Sequence, residues 1–188
     1  MNHQICIIDC GSSKVPDIEL CLNELHESSY TVKLEGFKIS DLNNAKAVII
    51  SGAPILLSEV NTSDYLKAFS WVASFDKPIL GICFGHQILG LLHNSKISLG
   101  AERRTVCEIE VTTSSTLFNH IKTPIMMGQD HCEEITLPDD FKLVANSNEC
   151  EVEAIQHKFK SWYGVQFHPE VSGQQGLQLL KNFVKTCD

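Results

Sequence analysis

One cysteine of this chain stands between two glycines, where an apolar run gives way to a second run with helical spacing. In the stretch PILGICFGHQILGLL, Gly81 and Gly85 lie two positions before and after Cys83. A thiol at the start of a helix is a candidate nucleophile, because the exposed N–H groups there favour the thiolate. The two glycines remove side chains that would collide in the strained turn such a nucleophile needs. The pattern indicates a nucleophilic cysteine, with a purely structural turn as the alternative.

A cysteine nucleophile needs a base, and the base needs a group that orients it. In YGVQFHPEV, residues 163–167 predict a buried strand, so His168 should emerge at the same sheet edge as Cys83. Glu170 follows two residues later, and an extended chain through Pro169 would point both side chains to one side. We therefore predict His168 as the general base and Glu170 as its orienting carboxylate. The alternative is a surface histidine and glutamate that end a strand.

Acyl chemistry at a thiol also needs two N–H groups aimed at the developing oxyanion. One is predicted to come from Phe84, and the other from the segment SGAP, where Gly52 and Ala53 end a strand at the same edge. That segment is otherwise a plain turn. Cys83 and His86 have a spacing that suits a metal, but zinc normally takes two further ligands and no second pair stands out. No metal or other cofactor is expected.

Strands that alternate with helices must position these groups. Apolar β-branched runs at 4–9, 47–50 and 79–82 predict buried parallel strands, and helical spacing predicts helices over 16–27 and 62–75. This alternation predicts one α/β domain over residues 1–188, with a mostly parallel central sheet that carries helices on both faces. Beyond about residue 100, shorter segments predict antiparallel additions, and the chain closes with a helix over 176–185.

Composition narrows the classes of partner. The net charge of -8 argues against nucleic acid, because phosphate binding needs clustered Lys and Arg. No run approaches the roughly 18 apolar residues of a membrane span, and the N-terminus lacks the pattern of a signal peptide. The 8 cysteines include no C-x-x-C pair and are predicted to be reduced thiols. We therefore expect a cytoplasmic protein that binds neither nucleic acid nor membranes.

The segments SGAP, PILGICFGHQ and YGVQFHPEV, in this order, resemble the class I glutamine amidotransferase family, whose fold is flavodoxin-like. Within it, the likeness is closest to the glutaminase domain or subunit of GMP synthetase, as the text from HCEEITLPDD to GLQLLKNF indicates. The resemblance implies that L-glutamine is hydrolysed to glutamate and ammonia through a γ-glutamyl thioester on Cys83. The chain has no Walker A or SGGxDS run, so conversion of XMP to GMP would need a separate ATP-using synthetase subunit.

The resemblance also implies roles for single residues. His168 would act as general base and acid with Glu170 as its orienter, and Ala53 and Phe84 would supply the oxyanion N–H groups. The implied substrate contacts are Gly52, Gln87 and Asp130.

Two positions depart from the family pattern. Relatives usually have a glycine where this chain has Ala53, which makes a backbone flip through positive φ less accessible and implies an oxyanion hole that is either pre-formed or impaired. Glu133 stands where separate-subunit relatives tend to have aspartate, in a stretch associated with docking to the synthetase.

Two other functions remain open on the same residues. A stand-alone hydrolase of γ-glutamyl amides or peptides would use the same triad without a partner. A binding module on this scaffold would have no turnover, but it would not need Cys83, His168 and Glu170 together.

Overall fold

The structure, a computed structural model, describes residues 4–187. Its strands are β1 Gln4–Asp9, β2 Ser29–Lys33, β3 Ala45–Ile50, β4 Ile79–Ile82, β5 Ile97–Arg103, β6 Val106–Val111, β7 Ile125–Gly128, β8 His131–Ile135, β9 Phe141–Asn146, β10 Ala154–His157 and β11 Trp162–Val165. Its α-helices are α1 Val15–Glu24, α2 Thr62–Ala68, α3 Phe84–Leu92 and α4 Gly173–Val184. They form one α/β domain around a nine-stranded mixed sheet in the order β2-β1-β3-β4-β11-β10-β9-β6-β7.

The parallel half of the sheet runs from β2 to β11. The pairs β1–β2, β1–β3, β3–β4 and β4–β11 are all parallel. Their β-branched residues face helices on both sides and are buried, as the continuous apolar runs predicted. The carboxyl ends of these strands therefore meet at one edge, which is where a site is expected in such a fold.

Helices cover both faces of the sheet, as predicted. On one face, Ile18 of α1 and Leu179 and Phe183 of α4 belong to a single apolar cluster. On the other face, Phe69 and Ile88 belong to a second cluster beneath α2 and α3. The sheet thus separates two cores.

The antiparallel additions extend the sheet beyond β11. The pairs β10–β11, β9–β10, β6–β9 and β6–β7 are antiparallel, and β5 with β8 forms a separate two-stranded sheet. β7 leads into β8 through Gln129 and Asp130, which lie beside the carboxyl-end edge of the parallel half.

The predicted helix over 62–75 is divided in two. α2 ends at Ala68, and a 3₁₀ helix follows at Ser70–Ser74. In one continuous α-helix Phe69 and Trp71 would point about 200° apart. Both rings are nevertheless buried, with centroids 6.4 Å apart, and an uninterrupted helix could not bury both against one sheet.

Membrane insertion has no support among the helices. None of those in the described part of the chain is long and apolar enough to cross a membrane.

Candidate active site

Cys83 occupies a strained turn between β4 and α3. Its backbone has φ 51° and ψ −102°, a conformation that non-glycine residues rarely adopt. Its N–H donates to the Val165 carbonyl oxygen at 2.8 Å, which ties the turn to the end of β11. The residue is 7% exposed, so the sulfur sits at the carboxyl-end edge with little access to bulk water. The predicted strand, turn and helix around Cys83 are confirmed.

The two flanking glycines are required by close backbone packing. A Cβ on Gly81 would lie 2.5 Å from the carbonyl carbon of Gly85. A Cβ on Gly85 would lie 2.4 Å from the carbonyl oxygen of Ile50 in β3. The first turn of α3 therefore presses directly on β3 and β4, and only glycine at both positions permits that approach.

His168 and Glu170 make the predicted contact, but by a different backbone path. His168 Nδ1 and Glu170 Oε1 are 2.7 Å apart, and both residues are buried. The extended chain predicted through Pro169 is wrong, because Pro169–Val171 forms a 3₁₀ helix. The turn curls the carboxylate back toward the imidazole, and the His168 N–H donates to the Gly128 carbonyl oxygen at 2.9 Å.

The surroundings of His168 favour its protonated form. Burial alone would lower the pKa of the imidazole, but hydrogen bonds to the Cys83 thiol and the Glu170 carboxylate raise it to about 10. The imidazole can therefore hold the proton that a reacting thiol gives up.

A cavity of about 400 Å³ opens beside Cys83. Gly52 lies against the triad, since a Cβ there would come within 3.2 Å of His168 Cε1 and 3.8 Å of Cys83 Cβ. The cavity wall contains four further residues singled out from the sequence: Ala53, Phe84, Gln87 and Asp130. The structure thus brings all the predicted site residues to one edge of the sheet.

Two of the predicted substrate contacts have partners within the protein. Gln87 is buried, and its Nε2 lies 3.3 Å from both the Glu133 carbonyl oxygen and Gln166 Oε1. The Asp130 carboxylate contacts the Lys14 ammonium and lies 3.5 Å from Nε of Arg104. Burial raises the pKa of this carboxyl, but Lys14 and Arg104 outweigh it and leave the pKa below its ordinary value. Asp130 therefore places a negative charge at the cavity wall.

Two residues at the site were missed from the sequence. Gln166 Nε2 lies 3.6 Å from the Cys83 sulfur, and strand alternation two residues before His168 could have revealed it. Glu133 accepts hydrogen bonds from the Leu57 and Ser58 N–H groups, a contact across 75 residues or more that no local pattern signals.

Metal ligation by Cys83 with His86 has no support in the geometry. His86 is fully buried in α3, with its Nδ1 packed toward Gly164, and burial lowers its pKa to about 3. A separate group of His93, Asp140 and His157 has ligand atoms within 4.8 Å of one another.

That group is a poor metal site for a chemical reason. Nδ1 of His157 accepts the backbone N–H groups of Phe159 and Lys160 at 3.1 and 3.0 Å, so the proton of the neutral ring resides on Nε2. A ring bound to a metal through Nε2 would carry its proton on Nδ1, facing both donors. His157 therefore serves the turn after β10.

Fold and site together define an α/β enzyme with a cysteine nucleophile at the carboxyl ends of parallel strands. The glutamine amidotransferase class-I family matches residues 6–187, and the chain belongs to this family. Its relatives include a glutamine-hydrolyzing GMP synthase subunit from Pyrococcus abyssi, 34% identical over 97% of this chain and 98% of that protein. The protein of the same name from Methanocaldococcus jannaschii is also 34% identical, over 97% of each chain.

Solved structures agree with the fold. A protein from Thermoplasma acidophilum, described as a GMP synthase subunit, superposes with a TM-score of 0.90 at 28% identity and covers 100% of this chain and 94% of its own. A glutamine amidotransferase from Thermotoga maritima has a TM-score of 0.78 at 18% identity, covering 98% of this chain and 84% of its own. The predicted fold class and family are confirmed.

Proposed function

We propose that this chain hydrolyses L-glutamine to glutamate and ammonia through a γ-glutamyl thioester on Cys83. The ammonia would pass to a separate ATP-using synthetase subunit that converts XMP to GMP. The observation that carries the chemistry is the connected series of thiol, imidazole and carboxylate, in which Cys83 and Glu170 both hydrogen-bond His168. Family membership supplies the substrate class.

In the first half of the reaction the Cys83 sulfur attacks the side-chain carbonyl carbon of glutamine. His168 takes the thiol proton and then delivers it to the departing nitrogen, so that ammonia leaves and a thioester remains. In the second half His168 accepts a proton from water as the water oxygen attacks the thioester carbon. Glutamate then leaves, and the proton returns to the sulfur. Glu170 holds the ring in the orientation needed for both transfers.

Each half-reaction passes through an oxyanion on the former carbonyl oxygen. The Phe84 N–H, at the first position of α3, and the Ala53 N–H, at the cavity wall, are the proposed donors. Ala53 is absent from the positive-φ residues of the described chain, and its Cβ makes a flip into that region unfavourable. We propose that this donor keeps one orientation.

The proposed partner follows from the relatives. Proteins that match over nearly their whole length are named as one lettered subunit of a glutamine-hydrolyzing GMP synthase, a name that implies a second subunit. A cytoplasmic location belongs to the same proposal and accords with 8 cysteines that are all free thiols.

The decisive experiment compares Cys83→Ala with Cys132→Ala, because both cysteines line the same cavity. We expect Cys83→Ala to abolish glutamine hydrolysis and Cys132→Ala to retain most of it. With the co-purifying synthetase subunit, ATP and XMP, the Cys83→Ala chain should support GMP formation from ammonium chloride but not from glutamine.

Other outcomes would point elsewhere. Undiminished ammonia release by Cys83→Ala would contradict the mechanism. Rapid turnover of a bulky γ-glutamyl amide with none of glutamine would favour a stand-alone hydrolase. Failure of every such substrate, with and without the synthetase, would favour a binding module.

A further inference from the structure

Glu133 is a buried carboxylate whose charge is directed at main-chain amides. The residue is 1% exposed and lies in β8 on the inward side of the alternation. Oε2 accepts the Leu57 N–H at 2.9 Å, and Oε1 accepts the Ser58 N–H at 2.7 Å. Both oxygens therefore grip consecutive amides of one loop, and hydrogen bonds of this kind to an ionised acceptor are stronger than neutral ones.

The gripped loop forms part of the active-site wall. It spans residues 51–61 between β3 and α2 and contains no strand or helix of its own. Residues 53–56 of this loop line the cavity beside Cys83. A loop without regular structure has few internal restraints, so its position depends on the contacts made near Leu57, whose side chain is also buried.

The main chain of Glu133 contacts the opposite wall. Its carbonyl oxygen lies 3.3 Å from Gln87 Nε2 and 3.0 Å from His131 Nδ1. One residue thus connects loop 51–61 to α3, which carries the Phe84 N–H. Burial also removes this carboxylate from any docking surface, contrary to the role suggested for its stretch by resemblance.

We propose that Glu133 is a positioning residue that holds loop 51–61 so that the Ala53 N–H points at the oxyanion formed at Cys83. The proposal depends on the hydrolysis mechanism given above. It assigns Glu133 an effect on the transition state, because the oxyanion exists only there, and little effect on binding of the substrate.

The test substitutes Glu133→Gln, which keeps the shape but places an NH₂ group against an N–H donor. We expect kcat for glutamine hydrolysis to fall about 10- to 100-fold with KM within about threefold, since loss of an oxyanion donor acts on kcat. Alkylation of Cys83 by iodoacetamide forms no oxyanion, so its rate, followed on the Cys83 peptide by mass spectrometry, should be unchanged.

A matched control is Glu134→Gln, the next residue, whose carboxylate pairs with Arg103 at 2.5 Å. Its kcat should stay within about twofold of wild type. Glu133→Asp keeps the charge on a shorter arm and should show the same division between kcat and alkylation, at smaller size. It also serves if Glu133→Gln fails to fold.

Two results would overturn the proposal. One is a wild-type kcat, per mole of alkylatable Cys83, in whichever Glu133 variant folds. The other is a parallel fall in kcat and alkylation, which would mean that Glu133 acts on the thiol itself. Cys83→Ala is assayed alongside: hydrolysis by that variant sinks the mechanism, whereas an inactive Cys83→Ala with a normal Glu133→Gln sinks only the positioning role.

Discussion

The two walls of the active-site cavity are held in place by different means. At the nucleophile turn, Gly81 and Gly85 allow backbone to pack on backbone, and no side chain is needed to hold Cys83. Across the cavity, loop 51–61 has no regular structure and depends on the distant carboxylate of Glu133. The attacking group is thus fixed by sterics, whereas one proposed oxyanion donor is fixed by hydrogen bonds that substitution can weaken gradually.

The difference predicts that disturbing the turn has the largest effect. Gly85→Ala would place a Cβ 2.4 Å from the Ile50 carbonyl oxygen, so α3 must move away from β3. We expect a loss of about 3 kcal/mol in the free energy of unfolding, together with loss of glutaminase activity. Urea denaturation and an ammonia assay measure both.

Gly100→Ala is the control, because its Cβ would meet only the flexible end of the Glu134 side chain, at 3.0 Å. It should cost less than about 1 kcal/mol. A Gly85→Ala protein as stable and active as wild type would remove the steric account of the turn.

A smaller effect is expected when the charge behind the base is removed. Glu170→Gln should lower kcat at least about 100-fold, since the orienting carboxylate also stabilises the imidazolium. It should also lower the pKa of His168 from its raised value of about 10, because it removes one of the hydrogen bonds that raise it. An NMR titration of the imidazole reads this shift directly.

The sign of the associated stability change follows from linkage. The pKa of His168 is higher in the folded chain, about 10 against an ordinary 6.5, so its stabilising contribution is complete below the ordinary value and is lost as pH rises through the folded value. That loss should be smaller in Glu170→Gln than in wild type or in the exposed control Glu151→Gln. An unchanged His168 pKa in Glu170→Gln would contradict the assigned contact.

The smallest effect is expected at the charged rim of the cavity. Asp130→Asn removes a negative charge whose partners are Lys14 and Arg104. Because a substrate contact contributes to binding before and during reaction, KM for glutamine should rise a few-fold with kcat nearly unchanged. Asp76→Asn, at an exposed pair with Lys160, should leave both constants unaltered. A fall in kcat with normal KM at Asp130→Asn would instead place that residue in the chemistry.

The same contrast explains how much the sequence could predict. Gly81 and Gly85 announce the turn because their positions follow from local sterics, and the apolar runs of the parallel strands are local as well. His168 and Glu170 were found from their spacing, although a 3₁₀ helix rather than extended chain joins them. Glu133 could not be found, because its role arises from a contact between segments 75 or more residues apart.

The central claim is that Cys83 attacks the side-chain carbonyl of glutamine. The most direct test is inactivation by a glutamine analogue with a diazoketone in place of the carboxamide, followed by peptide mass spectrometry. We predict one adduct per chain, on Cys83, formed in proportion to lost activity and slowed by glutamine. Full modification of Cys83 with activity retained, or inactivation with the adduct on another residue, would contradict the account.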